Sequence, residues 1–257
     1  MTSKVIVITG ASAGIGAATA VALAGRGDKV VLAARRLTEL QQVANLCGAG
    51  ALPIVTDVTR RSDVEYLRDE ALRAFGQVDV WINNAGRAIT RQVLDLTDDD
   101  LDQMIAVNLK SALYGMQAIV PYFKERGAGH LINISSALGR IPFVSHRSAY
   151  SASKAALNSL SANLRMDLRA AYPNIHVSIV MPPAVSSDFA KNALHGTPPA
   201  PGGFRSGPPA QTPEQAAAAI VELIDHPRAE IYTNPGQSEM VARYYTDVAG
   251  FEEAMGR

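Results

Sequence analysis

The sequence predicts an α/β protein, built as a single doubly wound parallel β-sheet of about seven strands with helices on both faces. Short β-rich apolar runs alternate with helical stretches along the chain, which is typical of parallel sheets. The length of 257 residues, 47% of them hydrophobic, suits one large core. Because no repeat or linker interrupts the alternation, we expect one domain over residues 1–257.

The composition narrows the possible partners. Lysine and arginine number 24, as do aspartate and glutamate, so the formal net charge is zero and a nucleic-acid partner is not expected. No run reaches the ~18–20 apolar residues of a membrane span, so no membrane partner is expected. The single Cys47 and the lack of a signal-peptide pattern predict a cytoplasmic protein. The five histidines form no ligand set, and no metal site is predicted.

The first predicted strand, Lys4–Thr9, runs directly into a glycine-rich turn, GASAGIG, at residues 10–16. An alanine-rich helix follows and ends at Gly25 and Gly27. In this Rossmann-like context, the backbone N–H groups and helix dipole can hold a pyrophosphate, although a plain βα turn is the alternative. The predicted phosphate-binding residues are Gly10, Ser12, Ala13, Gly14, Ile15 and Gly16.

The second predicted strand, Lys29–Ala34, ends at two arginines, Arg35 and Arg36. A cofactor with a free ribose 2′-hydroxyl favours an acidic residue at this point. A guanidinium instead suits a 2′-phosphate, to which it forms charge-assisted hydrogen bonds. We therefore predict NADP(H) in preference to NAD(H); surface arginines without a ligand are the alternative.

Two further strands bring polar or small residues to the same edge of the sheet. Asp57 and Val58 follow the strand Ala51–Val55, at a position that borders an adenine ring. The strand Val78–Ile82 leads to an amide and two small residues, in a region where ligands bind in open parallel sheets. These last three predicted cofactor-binding residues are Asn84, Ala85 and Gly86.

Two predicted helices follow strands of this half. Ser62 and Glu65 resemble a capping box that opens a helix reaching about Phe75. A long helix is expected to begin at Thr97-Asp-Asp-Asp100, because acidic residues complement the dipole of the first turn. Asn108 lies inside this helix, where asparagine has no propensity advantage, so it is a candidate polar bridge.

The second half contains three predicted strands: His130–Ser135, Ile175–Met181 and one near Ile231–Thr233. Thr212 and Pro213 start a helix that reaches about Ile224. Residues 196–213 hold six prolines and four glycines, which excludes regular structure. We expect a substrate flap over about residues 187–213; a surface loop without function is the alternative.

Tyr150 and Lys154 lie four residues apart on a predicted helix that runs to about Tyr172. Four residues are about one helical turn, so both side chains leave the same face. A nearby ammonium stabilises tyrosinate and allows tyrosine to exchange a proton with an alcohol or carbonyl near neutral pH. Tyr150 is therefore a candidate general acid/base.

The chain resembles the short-chain dehydrogenase/reductase family, in its compact form, over roughly residues 4–190. The motifs TGASAGIG at 9–16, NNAG at 83–86 and YSASK at 150–154 have the family's order and separation. The resemblance implies that Tyr150 is the acid/base and that Lys154 lowers the Tyr150 pKa and binds the nicotinamide ribose. It also implies that Ser136 binds the substrate oxygen and that Asn108 holds a water in a proton relay to Lys154.

Two departures from the family pattern concern Ser136 and the segment after the sixth strand. The spacing from Ser136 to Tyr150 is one residue longer than usual, so we infer an insertion in the loop 140–148. Ser135 is not preferred, because strand alternation points it the other way. The sequence PPAVSS at 182–187 stands where the family tends to have PGxVxT. Pro182, Val185 and Ser187 are the cofactor-binding residues implied there.

These observations predict an NADP(H)-dependent oxidoreductase acting on a carbonyl or secondary alcohol, with a largely apolar small-molecule substrate. A non-catalytic NADP(H)-binding sensor or scaffold is the alternative, and a sugar-nucleotide epimerase or dehydratase is a third class. The resemblance further implies a homodimer or homotetramer.

Overall fold

The computed structural model describes residues 3–196 and 210–255. Within these ranges, seven parallel strands form one sheet in the order β3-β2-β1-β4-β5-β6-β7, which confirms the predicted doubly wound sheet. The strands are β1 Val5–Thr9, β2 Lys29–Ala34, β3 Ala51–Val55, β4 Val80–Asn83, β5 Gly129–Ile134, β6 Ile175–Met181 and β7 Glu230–Tyr232.

Helices cover both faces of the sheet. They are α1 Gly14–Gly25, α2 Leu37–Cys47, α3 Arg61–Phe75, α4 Asp98–Ile105, α5 Ser111–Arg126, α6 Ser148–Arg169, α7 Pro213–Asp225, α8 Gln237–Thr246 and α9 Val248–Met255. The sequence patterns did not predict α2, α8 or α9. Among the described residues, no helix is long and apolar enough to cross a membrane.

Strand alternation divides the core into two layers. Val5 and Val7 of β1 face a cluster that contains residues of α3, α5 and α6, while Ile6 and Ile8 face one formed with α1, α2 and α7. Because both faces of the sheet are covered, the strands are apolar at successive positions rather than at alternate ones. This explains the continuous apolar run at the start of the chain.

The helix starts agree only in part with the predicted signals. The capping box at Ser62 and Glu65 is wrong: α3 begins at Arg61, after an N-cap residue whose side chain makes no capping bond. Thr97 does form a capping box, since Thr97 Oγ1 accepts from Asp100 N at 3.2 Å and Asp100 Oδ2 accepts from Thr97 N at 3.1 Å. The predicted long helix is interrupted by a π-helical turn, Ala106–Lys110, between α4 and α5.

The strand order creates a crevice at the carboxyl ends of β1 and β4. These strands are neighbours in the sheet, and the chain leaves them toward opposite edges. Open α/β sheets bind ligands at such a switch point. The predicted flap extends into the same region; its residues 197–209 lie outside the described residues.

Candidate active site

The glycine turn after β1 packs against the end of β4. Gly10 has a φ of +67°, a conformation that glycine adopts without strain. The Asn84 side chain donates to Thr9 O at 2.8 Å and to Gly10 O at 3.2 Å. A Cβ atom on Gly16 would lie 2.5 Å from Asn84 Nδ2 and 2.6 Å from Gly10 O, so this close approach requires glycine.

The N-terminus of α1 fits a pyrophosphate. Ala13 is the N-cap residue, and no side chain of the cap bonds to the first-turn N–H groups. These donors and the positive end of the helix dipole are therefore directed at the crevice. Ile15 packs beside the core in the same turn. A Cβ on Gly14 would lie 3.6 Å from the Ser187 side chain, so the segment after β6 borders the phosphate turn.

The two arginines after β2 lie at the edge of this turn. Arg36 donates to Ser12 Oγ at 3.1 Å and forms an ion pair with Glu39 at 3.0 Å. Burial acts to raise the pKa of Asp57, but hydrogen bonds from Thr59 and the nearby charge of Arg35 help to lower it below its usual value. The positive charge of Arg35 therefore interacts with the carboxylate of Asp57, just after β3.

The remaining predicted cofactor residues lie along the same edge. The N–H groups of Asn84 and Ala85 each donate to Thr9 Oγ1 at 3.0 Å. Val58 packs on the core beneath the edge, and Pro182 O accepts from the N–H of Ala137 at 2.9 Å. Val185 forms an isolated β-bridge with Gln211. Gly86 lies beside Lys154, since a Cβ on Gly86 would be 3.5 Å from Lys154 Nζ.

Asn108 lies in the π-helical turn and is buried. Its Oδ1 accepts from Arg87 N at 2.8 Å, and its Nδ2 donates to Arg87 O at 2.9 Å and to Ser153 Oγ at 3.1 Å. Single π-helical turns inside α-helices are frequent at functional sites. Asn108 is thus the polar bridge that the sequence predicted, and it holds the chain just after Gly86.

Ser136, Tyr150 and Lys154 converge at the carboxyl end of β5. The Ser136 side chain lies close enough to the Tyr150 hydroxyl to act on its pKa, and Ser136 Oγ accepts from Leu138 N at 3.2 Å. Ser135 Oγ instead donates to Lys154 O at 3.3 Å. Lys154 Nζ donates to Ile134 O at 2.8 Å and lies 5.8 Å from the centroid of the Tyr150 ring.

Burial dominates the electrostatics of this cluster. Burial raises the pKa of Tyr150 above its usual value, while the Ser136 hydrogen bond and the charge of Arg147 act in the opposite direction. Burial also lowers the pKa of Lys154 to about 8. Desolvation therefore favours the neutral form of each group, and a partner that stabilises the charged forms would shift both.

The Tyr150 ring belongs to an apolar wall. The Phe189 ring lies edge-on to it, with 5.8 Å between ring centroids. The wall joins the segment after β4, α4, α6 and the start of the flap; its buried members are Ala88, Ile89, Met104, Ala149, Tyr150 and Ala193.

A cavity of about 750 Å³ borders a different face of α6. By helical periodicity, its α6 residues lie away from Tyr150 and Lys154. These lining residues are Ser148, Ser151, Ala152 and Ala155, and they face Tyr244 and Tyr245 of α8. The cavity is also lined by Leu138 and Gly139, just after Ser136, so it lies next to the polar cluster.

Arg147 is the charged neighbour of Tyr150 that the sequence analysis missed. It precedes α6 as the N-cap residue, three positions before Tyr150, so the two side chains lie about one turn apart. That spacing was the available signal. The interactions that orient its side chain, however, come from the segment after β4, far away in the sequence.

Comparisons with known proteins agree with the fold. A family model for short chain dehydrogenases matches residues 4–197. An uncharacterized oxidoreductase of Staphylococcus saprophyticus is 39% identical over 187 residues, covering 72% of this chain and 76% of that protein. A short chain dehydrogenase/reductase from Burkholderia phymatum, solved in complex with NAD, has a TM-score of 0.85 at 28% identity, covering 96% of this chain and 94% of its own.

An archaeal structure shows the same likeness with another cofactor. The alcohol dehydrogenase of Thermococcus sibiricus, complexed with 5-hydroxy-NADP, has a TM-score of 0.77 at 26% identity, covering 90% of this chain and 96% of its own. The fold and these similarities together define an NAD(P)-dependent dehydrogenase or reductase. The chain belongs to the short-chain dehydrogenase/reductase family, as the resemblance implied.

Proposed function

We propose that this protein is an NADP(H)-dependent oxidoreductase that transfers a hydride between the nicotinamide and a carbonyl or secondary alcohol, with Tyr150 as general acid/base. The observation that carries the proposal is the convergence of Ser136, the buried Tyr150 and Lys154 at the carboxyl end of β5. A proton donor, a hydrogen-bond donor and a cation thus meet at the carboxyl edge of the sheet, beside the glycine turn.

Each side chain has a separate role in carbonyl reduction. The nicotinamide, when bound, supplies the hydride to the carbonyl carbon. Tyr150 gives its proton to the carbonyl oxygen, and Ser136 donates a hydrogen bond that stabilises the developing negative charge on that oxygen. In alcohol oxidation, tyrosinate takes the hydroxyl proton back.

Lys154 and Asn108 support the proton step. In this proposal the Lys154 ammonium stabilises tyrosinate and binds the nicotinamide ribose, as the family resemblance implies. Lys154 Nζ lies beside Gly86, where a Cβ would be 3.5 Å away. The side-chain amide of Asn108 is hydrogen-bonded to Arg87 and Ser153. Its proposed role in a proton relay to Lys154 is therefore to hold the surrounding chain in place.

A preference for NADP(H) follows from the charges after β2. Arg36 donates to Ser12 of the glycine turn, and Arg35, the residue before it, is near enough to Asp57 to act on its charge. Arg35→Asp removes a phosphate partner and adds repulsion, so it should lower the preference for NADPH over NADH by about tenfold or more. Fluorescence titrations with both cofactors measure this ratio, with exposed Arg73→Asp as the control; an unchanged ratio would make Arg35 a bystander.

The substrate is proposed to be a small molecule with an apolar body. Ala88 and Ile89 are buried beside Tyr150, and the Phe189 ring closes the flap side. Apolar pockets with few convergent polar groups are typical of small-molecule sites. We also propose a homodimer or homotetramer, which light scattering of the purified protein would test.

The experiment is a screen of NADPH consumption against ketones and aldehydes of increasing size. We expect consumption with apolar carbonyls and formation of the corresponding alcohols. Tight NADPH binding without consumption across the panel would instead favour a cofactor sensor or scaffold. Absence of binding to either cofactor would contradict the proposal altogether.

A further inference from the structure

Arg147 carries a positive charge into the apolar side of the site. The side chain is half-buried, and burial lowers the pKa of its guanidinium, while the proximity of Tyr150 acts in the opposite direction. In the part of the chain that the structure describes, no carboxylate forms an ion pair with it; Arg91, nearby, is paired with Asp100 at 3.3 Å. A half-buried charge without an anionic partner is costly and calls for a reason.

Two oxygen atoms orient the guanidinium. Arg147 Nη1 donates to Ile89 O at 3.0 Å and to Thr90 Oγ1 at 3.5 Å. Ile89 and Tyr150 belong to the same apolar wall, so the residue that holds the charge is part of the surroundings of the tyrosine. The guanidinium is thus fixed in position beside the tyrosine.

The segment that holds Arg147 is also the one on which the flap docks. Thr90 N donates to Leu194 O at 2.9 Å, Leu194 N donates to Ala88 O at 2.9 Å, and Thr90 Oγ1 donates to Gly196 O at 3.0 Å. The Thr90 hydroxyl therefore connects the flap with Arg147, since it donates to one and accepts from the other.

The other charged groups around Tyr150 come from several elements. Lys154 lies on α6 itself, and its ammonium is bonded to Ile134 O. Asp100 of α4 pairs with Arg91 and with His195 of the flap, so this cluster contains its own counter-charges. Among the described residues, no carboxylate offsets the charge of Arg147 in this way.

We propose that Arg147 is a positioning residue that stabilises tyrosinate at Tyr150 as a second cation, in addition to Lys154, and that the docked flap holds it there. The inference rests on the proposed function, in which Tyr150 is the acid/base. Loss of the charge should favour the protonated tyrosine. Alcohol oxidation, which needs tyrosinate, should then require a higher pH.

The test is an absorbance titration of tyrosinate in the protein saturated with NADP+, whose positively charged nicotinamide ring counteracts the burial that raises the pKa of Tyr150. The chain has eight tyrosines. Each protein's titration curve is therefore corrected by subtracting the curve of the same protein carrying Tyr150→Phe, which leaves the signal of Tyr150 alone. We expect Arg147→Gln to raise the Tyr150 midpoint by about one to two pH units and Arg147→Lys to raise it less. Arg73→Gln, which removes an exposed charge on α3, should leave it unchanged.

Kinetics separate the possible roles of Arg147. The pH dependence of alcohol oxidation by Arg147→Gln should shift upward with the midpoint, and Arg147→Lys should restore most of the shift. An unmoved midpoint and pH profile with a raised KM would overturn the proposal and make Arg147 a substrate-binding group. If Arg147→Gln fails to fold, Thr90→Val should still raise the midpoint slightly, and no change would be the contrary result.

The titration also separates this proposal from the function on which it rests. If the Tyr150→Phe variant retains turnover, Tyr150 is not the acid/base, and Arg147 then has no role in stabilising a catalytic tyrosinate. An unmoved midpoint in Arg147→Gln, with Tyr150→Phe inactive, would refute only the second cation.

Discussion

The Asn108 side chain forms a reciprocal pair of hydrogen bonds with the main chain of Arg87. Asn108 Oδ1 accepts from Arg87 N at 2.8 Å, and Asn108 Nδ2 donates to Arg87 O at 2.9 Å. Asn108 itself is buried in the π-helical turn between α4 and α5. This bridge fastens the chain after β4 to the helix, directly beside Gly86.

Asn108→Ala should destabilise the protein markedly, because it removes the partners of a main-chain donor and acceptor. Each buried polar group left unpaired costs about 1–3 kcal/mol, so we expect a loss of about 2–4 kcal/mol in the free energy of unfolding. Urea denaturation measures it. The control is Asn163→Ala, at an exposed position of α6, which should change stability by less than about 0.5 kcal/mol. Similar losses in both variants would contradict the bridge.

Two glycines of α1 should respond oppositely to alanine. A Cβ on Gly16 would meet Asn84 Nδ2 at 2.5 Å and Gly10 O at 2.6 Å, whereas a Cβ on Gly25 would meet nothing within 4 Å. Gly16→Ala should cost about 1–3 kcal/mol and weaken NADPH binding. Gly25→Ala should stabilise by up to about 1 kcal/mol and leave binding unchanged. Equal NADPH affinity in the two variants would refute the close approach of the turn.

Asp100 links α4 to the flap, and its contribution to stability should depend on pH. The hydrogen bond from His195 is the main cause that lowers the pKa of Asp100 to about 2. Because the folded pKa is depressed, the ionised carboxylate stabilises the protein above the unfolded pKa near 4, and this contribution is lost as pH falls toward 2.

Asp100→Asn should therefore be less stable than the parent at pH 7, by about 1 kcal/mol or more, since the cap of α4 is also weakened. Thermal unfolding from pH 7 downward should show the difference between the two proteins narrow below about pH 4. Asp98→Asn, in the same first turn of α4, is the control. A difference that stays constant down to pH 2.5 would argue against an ionic contact.

Sequence reasoning reached the sheet and most of the site because both depend on local patterns. The strands are continuous apolar runs, and the glycine turn and the Tyr150–Lys154 spacing lie within single elements. The helix α2 was missed because its start carries no capping signal: the N-cap residue, Arg36, makes no side-chain capping bond. The C-terminal α8 and α9 bury little, chiefly Gln237 and Phe251, so their apolar periodicity is weak.

The parts that could not be predicted depend on contacts between distant segments. The start of α3 is the exception, because a local bond fixes it: Asp63, in the first turn, accepts from Asp57 N at 3.1 Å, and no capping box forms at Ser62. Arg147 is oriented by Ile89 and Thr90, and no sequence pattern connects these positions.

The most direct test of the account compares Tyr150→Phe with the parent in two measurements, NADPH affinity by fluorescence and single-turnover reduction of an accepted carbonyl. The phenyl ring keeps the apolar contacts of Tyr150 with Phe189 but has no proton to give. We predict nearly unchanged NADPH affinity and a reduction rate lower by at least about a hundredfold. Reduction at the parental rate would contradict Tyr150 as the acid/base of this enzyme.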